Sequence, residues 1–209
     1  MAESPLLYLV RHGQTDANVA ARFAGWSDDH LNELGNQQCA ELAERIVGDE
    51  IEVIYTSPVR RAVETAEILA AGLGARTRTV HDLHEIDLGP WKGLTEKEVE
   101  DAWPSEYTAW RNEPDRVLLE GRETLQSVQE RALEALDQIA HAQLSASEAP
   151  AVVVSHLAVL RVLWLAALGS ELSAYHSVTS AHCEVFPVRW VARGKIEPGR
   201  PADPTDSSD

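Results

Sequence analysis

Three stretches of this chain carry residue types that could do chemistry together: Arg11-His12-Gly13-Gln14-Thr15, Ser57-Pro58-Val59-Arg60-Arg61, and His156. They supply two histidines and two or three arginines. An imidazole can attack phosphorus, and guanidinium forks bind phosphate oxygens bidentately, so the set suits phosphoryl chemistry. Taken singly, each has a blander reading. A lone histidine after a strand is more often a hydrogen-bonded structural group, and an arginine pair at a helix start is more often a solvated face. The joint appearance after three separate apolar runs outweighs those readings.

The apolar runs are the elements that must position these groups. Leu6–Val10, Ile51–Thr56 and Ala151–Ser155 are β-rich and of buried-strand type. Helical spacing is expected over Glu33–Val47 (Leu34, Cys39, Leu42, Ala43, Ile46) and over Pro58–Leu73 (Val59, Ala62, Val63, Ala66, Leu69), with Gly72 or Gly74 as the stop. Glu123–His141 and Leu157–Leu168 also read as helices, separated by a loop over Ser145–Pro150. His182–Val191 reads as a late strand in which Pro187 suggests an edge or a bulge. Strands alternating with helices predict an α/β three-layer sandwich, a mostly parallel sheet with helices on both faces. Functional groups in such sheets gather at the carboxyl ends of the strands, where these residues lie. The segment 89–122, with Trp91, Trp103, Pro104, Trp110 and Pro114, breaks the rhythm and reads as a small helical insert over one end of the sheet. One domain over 1–196 is expected, with an acidic, disordered tail over 197–209.

The 209 residues carry a formal net charge of −16, which argues against nucleic-acid and anionic-membrane partners. Of 18 basic residues only Lys92, Lys97 and Lys195 are lysines, as expected of a GC-rich genome, a salty cytoplasm, or both. The start of the chain lacks a basic n-region and no run approaches a membrane span, so a cytoplasmic protein is expected. Cys39 and Cys183 form no spacing motif and read as buried thiols. His81 and His84 lie three apart, but with no predicted helix and no third ligand they are not read as a metal site.

Leu9-Val-Arg11-His12-Gly13-Gln-Thr15, with Asn18 and Arg22, resembles the signature of the phosphoglycerate mutase-like histidine phosphatase superfamily. The resemblance runs from about Leu6 to about Trp190. It takes in Gly25-Trp-Ser-Asp28, Tyr55-Thr-Ser57-Pro58 with Arg61, Glu85-Ile-Asp-Leu-Gly89-Pro-Trp91-Lys-Gly93, Gly121-Arg-Glu123-Thr, and Val154-Ser155-His156 with Arg161. It implies a phosphatase acting on a small phosphorylated metabolite of the phosphoserine, phosphoglycerate or sugar phosphate type. His12 would be the nucleophile that becomes phosphohistidine. Arg11, Arg61 and His156 would bind the phosphoryl oxygens, with Asn18 and the backbone N–H of Leu157 as further contacts. Glu85 would be general acid and then general base. No metal and no cofactor are implied, and a homodimer stays open.

Departures from the family pattern are Leu157-Ala158 where glycines are common, Lys92 where an acid is frequent, and Arg122 where a glycine is frequent; both charges read as solvated surface groups. The segment after Glu85 lacks the longer mutase insert and is similar to that of metal-independent phosphoserine phosphatases. A cofactor-dependent phosphoglycerate mutase and an inactive phosphate-ester-binding module are the alternatives. One prediction follows from charge alone. Salt should screen the self-repulsion of a −16 chain, so the melting temperature should rise as ionic strength is raised from a low value. Thermal scans from low to molar NaCl check this, and a flat or falling melting temperature contradicts it.

Overall fold

The computed structural model describes residues 4–46, 50–146 and 149–199. Six strands form one sheet in the order β3-β2-β4-β1-β5-β6. These are β1 (Leu6–Arg11), β2 (Val53–Thr56), β3 (Arg76–Thr79), β4 (Ala151–Ser155), β5 (Val185–Ala192) and β6 (Lys195–Pro198). The first four pair in parallel and β5 and β6 are antiparallel. The helices are α1 (Asp16–Val19), α2 (Glu33–Arg45), α3 (Arg60–Leu73), α4 (Glu96–Ala102), α5 (Pro104–Asn112), α6 (Leu125–Ala146) and α7 (Leu157–Leu168). None among the described residues is long and apolar enough to cross a membrane.

Period-two alternation sorts the strand residues between two cores. Tyr8, Val10, Ile54, Val152 and Val154 face α2 and α3, meeting Cys39, Leu42, Ala62, Ala66 and Leu69. Leu7, Leu9, Val53, Tyr55 and Val153 face α6 and α7, meeting Val128, Leu136, Val159 and Leu163. Strands buried on both faces read as continuous apolar runs, which is why β1 and β4 are evident in the sequence. The three-layer α/β expectation is met.

Several boundaries differ from expectation. The loop expected from Ser145 begins later, because α6 continues to Ala146. Its last turns are held by buried Gln143, which accepts from Tyr55 Oη at 3.2 Å and donates to the Ala149 carbonyl at 3.1 Å. Glu197 and Pro198, expected in the tail, belong to β6, and the rest of the expected tail, from residue 200, lies outside the described residues. β5 is not an edge strand, and its register shift falls at Trp190/Ala192 rather than at Pro187. Pro187 is tolerated because Tyr8↔Pro187 falls between the hydrogen-bonded pairs of β1 and β5, so its missing N–H costs that ladder nothing.

The insert is two short helices, α4 and α5, flanked by 3₁₀ turns at Gly89–Trp91 and Pro114–Arg116. Trp91 is fully buried beneath it, while Trp103, Trp164 and Trp190 pack against the same core.

The loop after β1 is pressed against the start of α2, where Asn32 caps the helix by accepting from Gly35 N at 2.8 Å. A Cβ on Gly35 would sit 2.2 Å from the Gln14 carbonyl oxygen, and one on Gly13 would sit 2.7 Å from the Gly35 carbonyl oxygen. Both contacts are backbone and cannot rotate away. Gly35→Ala should therefore lower stability by about 1–3 kcal/mol, the usual range for overpacking, and displace the loop that carries His12. Urea denaturation with a parallel assay checks both effects; unchanged stability would contradict the packing described.

Candidate active site

Strand order explains why distant residues meet. β2, β4 and β1 are adjacent and parallel, so the loops leaving their carboxyl ends lie side by side. The ladder continues one residue past each strand: His12 N donates to the Ser155 carbonyl at 3.0 Å, and Ser57 N to the Val154 carbonyl at 3.0 Å. Arg11, His12, Asn18, Arg61, Glu85 and Leu157 then line one cavity of about 410 Å³. His156 is fully buried beside His12, their ring centroids 5.1 Å apart. All seven residues singled out from the sequence are thus brought together.

Hydrogen bonds determine which nitrogen of His12 can react. Nδ1 lies 2.7 Å from the Gly13 carbonyl oxygen, which can only accept, so Nδ1 carries the proton. Nε2 is left with its lone pair, and Arg61 Nε donates to it at 3.0 Å. Burial, then Arg61, Arg11 and His182, push the His12 pKa well below the usual range, so the ring is neutral.

Arg61 is the second residue of α3, where a cation opposes the helix dipole. It is almost wholly buried, and its other nitrogens donate to the carbonyls of Gly25 (2.7 Å) and Ser27 (3.3 Å). Arg11 Nη1 donates to the Ser180 carbonyl, while its buried Nε has no partner. Burial lowers the pKa of both guanidiniums, and Glu85 partly offsets this.

His156 has a complementary assignment. Ser57 Oγ accepts from Val59 N at 3.2 Å, so its hydroxyl proton is free to donate to His156 Nε2 at 2.7 Å. With Ser57 as the donor, the ring proton lies on Nδ1, which is buried without a protein partner. His156 occupies the N-cap position of α7 without a side-chain cap bond, and Leu157 and Ala158, at that helix's N-terminal turn, line the cavity. Backbone N–H groups at such a turn are a ready anion site, so the missing glycines remove nothing essential.

Glu85 is held by its backbone. Its carbonyl accepts from Trp26 Nε1 (2.7 Å) and His84 Nδ1 (2.9 Å), and Arg131 Nη2 lies at 3.4 Å. Arg131 is itself fixed by a 2.7 Å ion pair with Glu123. Burial raises the Glu85 pKa against the pull of Arg61, so protonation is favoured. Asn18 closes a capping box with Thr15, its Oδ1 accepting from Thr15 N at 3.1 Å.

Sequence reading missed part of the wall. His182 lines the cavity with its ring 5.6 Å from that of His12, and its Nδ1 donates to the His12 carbonyl at 3.0 Å; burial brings its pKa down to about 4. It precedes β5, whose antiparallel course starts at the carboxyl edge of β1. Recognising that direction was the one signal that could have placed it. Tyr175 and His176, on a 3₁₀ turn after α7, had no such signal. Arg122 is corrected from a solvated charge to a buried one. Its guanidinium lies over the rings of Trp110 (4.7 Å) and Trp91 (5.2 Å), and burial brings its pKa down to about 10. Lys92 is exposed as expected. Cys39 and Cys183 are buried and unbridged, with sulfurs 3.6 Å apart. Among the described residues, the one group close enough to hold a metal ion is His81, Asp82 and His84, outside this cavity.

Residues 7–196 match the histidine phosphatase superfamily (branch 1). The chain belongs to that superfamily. Phosphoserine phosphatase 1 of Hydrogenobacter thermophilus is 33% identical over 171 residues, covering 82% of this chain and 80% of that protein. The glucosyl-3-phosphoglycerate phosphatase of Mycolicibacterium vanbaalenii is 33% identical over 167 residues, covering 78% and 74%. The structure of Bacillus stearothermophilus YhfR superposes with a TM-score of 0.86 at 32% identity, covering 98% of each chain. This histidine phosphatase is a hydrolase of phosphomonoesters, and the phosphohistidine mechanism is general to its superfamily.

The protonation states give a signed prediction. Glu85 must be protonated to act as an acid, so kcat/KM for an alkyl phosphate should fall as pH rises through its raised pKa, above 4.5. Glu85→Gln should lower the rate and abolish that limb, while substrate ionisation remains common to both enzymes. Paired pH–rate profiles test this, and an unchanged limb in the variant would assign it to another group.

Proposed function

We propose that His12 Nε2 attacks the phosphorus of a phosphoserine, phosphoglycerate or sugar phosphate type ester bound in this cavity. The observation that carries the reading is the unprotonated Nε2 of a neutral imidazole, held by Arg61 Nε in a cavity that Arg11, Arg61 and Glu85 also line. As the ester enters, Arg61 Nε transfers its hydrogen bond from Nε2 to a phosphoryl oxygen and so uncovers the nucleophile. Arg11, His156 Nδ1 and the N-terminal amides of α7 take the remaining oxygens and the charge of the in-line transition state. Asn18 adds a contact from its amide.

Glu85 gives its proton to the leaving alkoxide as the P–O bond breaks. The resulting carboxylate takes a proton from the water that attacks the phosphohistidine. Inorganic phosphate leaves, and His12 and Glu85 return to their first states. Arginines and the N-terminus of α7 supply the positive charge in every step, so turnover should not depend on a metal ion.

Two outcomes test the assignment. Turnover of p-nitrophenyl phosphate and of phosphoserine should be unaffected by EDTA; loss on chelation with recovery on Mg²⁺ or Zn²⁺ would refute it. Glu85→Gln should lower turnover of an alkyl phosphate by ~10²–10⁴-fold, the range for a lost general acid. The loss should be much smaller for p-nitrophenyl phosphate, whose leaving group needs no proton. Equal losses on the two substrates would remove Glu85 from the acid role.

A further inference from the structure

The turn that leads into Glu85 carries three side chains the phosphatase chemistry does not use. His81–Leu83 forms one 3₁₀ turn, a geometry in which side chains three residues apart eclipse. His81 and His84 accordingly stand together, their ring centroids 5.1 Å apart. Asp82 joins them, and one ligating atom from each of the three lies within 4.8 Å of the others. The structure thus provides the turn and the third ligand that the sequence did not reveal.

The backbone beneath these groups is fixed. Arg131 Nη1 donates to the carbonyls of Asp82 (2.6 Å) and His84 (2.8 Å), with Glu123 holding the guanidinium in place. His84 Nδ1 donates to the Glu85 carbonyl at 2.9 Å, which leaves Nε2 with a free lone pair. One ring nitrogen anchored on a backbone carbonyl and the other free is the usual presentation of a metal-binding histidine. His84 is nearly buried, whereas the side chains of His81 and Asp82 reach solvent.

We propose that His81, Asp82 and His84 bind a divalent transition-metal ion of the Zn²⁺ or Ni²⁺ kind, outside the catalytic cavity. Two imidazoles and one carboxylate are donors suited to such borderline ions and poor for Mg²⁺ or Ca²⁺. Zinc bonds of about 2.0–2.2 Å allow two donors to stand no more than about 4.3 Å apart. The atoms lie within 4.8 Å of one another, wider than the roughly 3.4 Å between donors of a tetrahedral ion, so binding requires the exposed His81 and Asp82 side chains to turn inward. Three protein ligands leave the fourth position to water. Trp26 lies beside the site, its ring 4.1 Å from that of His84 and 5.9 Å from that of His81, and so serves as a built-in reporter.

The test uses the full chain, stripped with EDTA and dialysed, titrated with ZnCl₂ in a calorimeter and with NiCl₂ while tryptophan emission is followed. One Zn²⁺ per chain should bind with micromolar or better affinity. His81→Ala and Asp82→Asn alter exposed side chains and should fold normally, yet each should weaken Zn²⁺ by at least about tenfold. His30→Ala, which removes another exposed histidine, should leave the affinity unchanged. Ni²⁺ should quench part of the emission, and Trp26→Phe should abolish that part while still binding Zn²⁺. The proposal is overturned if no saturable binding occurs at micromolar metal, if His81→Ala binds as tightly as the wild type, or if His30→Ala removes the binding.

Discussion

The hydrogen bond from Arg61 Nε to His12 Nε2 is the interaction on which the rest of the site depends. It holds the reactive lone pair in place, and it puts a buried guanidinium against a neutral base rather than against a carboxylate. Arg61 has only carbonyls as its other partners, and Arg11 keeps one buried N–H with no partner at all. A buried cation without a matched anion is costly unless a ligand supplies the charge. The cavity therefore concentrates buried positive groups inside a chain of net charge −16, an arrangement that a phosphoryl dianion would relieve under the proposed function.

The fold accommodates this strain by distributing the supports. Parallel β2, β4 and β1 bring three loops to one edge, and antiparallel β5 adds His182 from the opposite chain direction. The His12 loop is wedged against α2 through Gly13 and Gly35, with backbone contacts that admit no side chain. Glu85 belongs to no strand or helix, so its place comes from a separate device. The Glu123–Arg131 pair and Trp26 grip the carbonyls of its turn and keep a carboxyl with a raised pKa facing the arginines.

Much of this was legible in the sequence for a physical reason. Strands buried on both faces are written as unbroken apolar runs, and the residues after them are the ones at the catalytic edge. His12, Arg61 and His156 could thus be placed without coordinates. β3 was not legible because Arg76–Thr79 is exposed throughout and has no apolar face, and half of β6 falls in what reads as a polar tail. Arg122 was misread because a charge normally implies solvent, whereas here two indole rings take the place of water. The role of Glu85 came from resemblance alone, since neither periodicity nor spacing distinguishes a carboxylate held by backbone contacts from one on the surface.

The central claim is that His12 carries the phosphoryl group and that water, not a second substrate hydroxyl, removes it. Rapid quench of the wild-type enzyme with a ³²P-labelled phosphomonoester tests this most directly. A base-stable, acid-labile adduct should form, be absent in His12→Ala, and decay to inorganic phosphate within one turnover. An adduct that forms without His12, or one that persists and passes to a phosphoglycerate, would contradict the account.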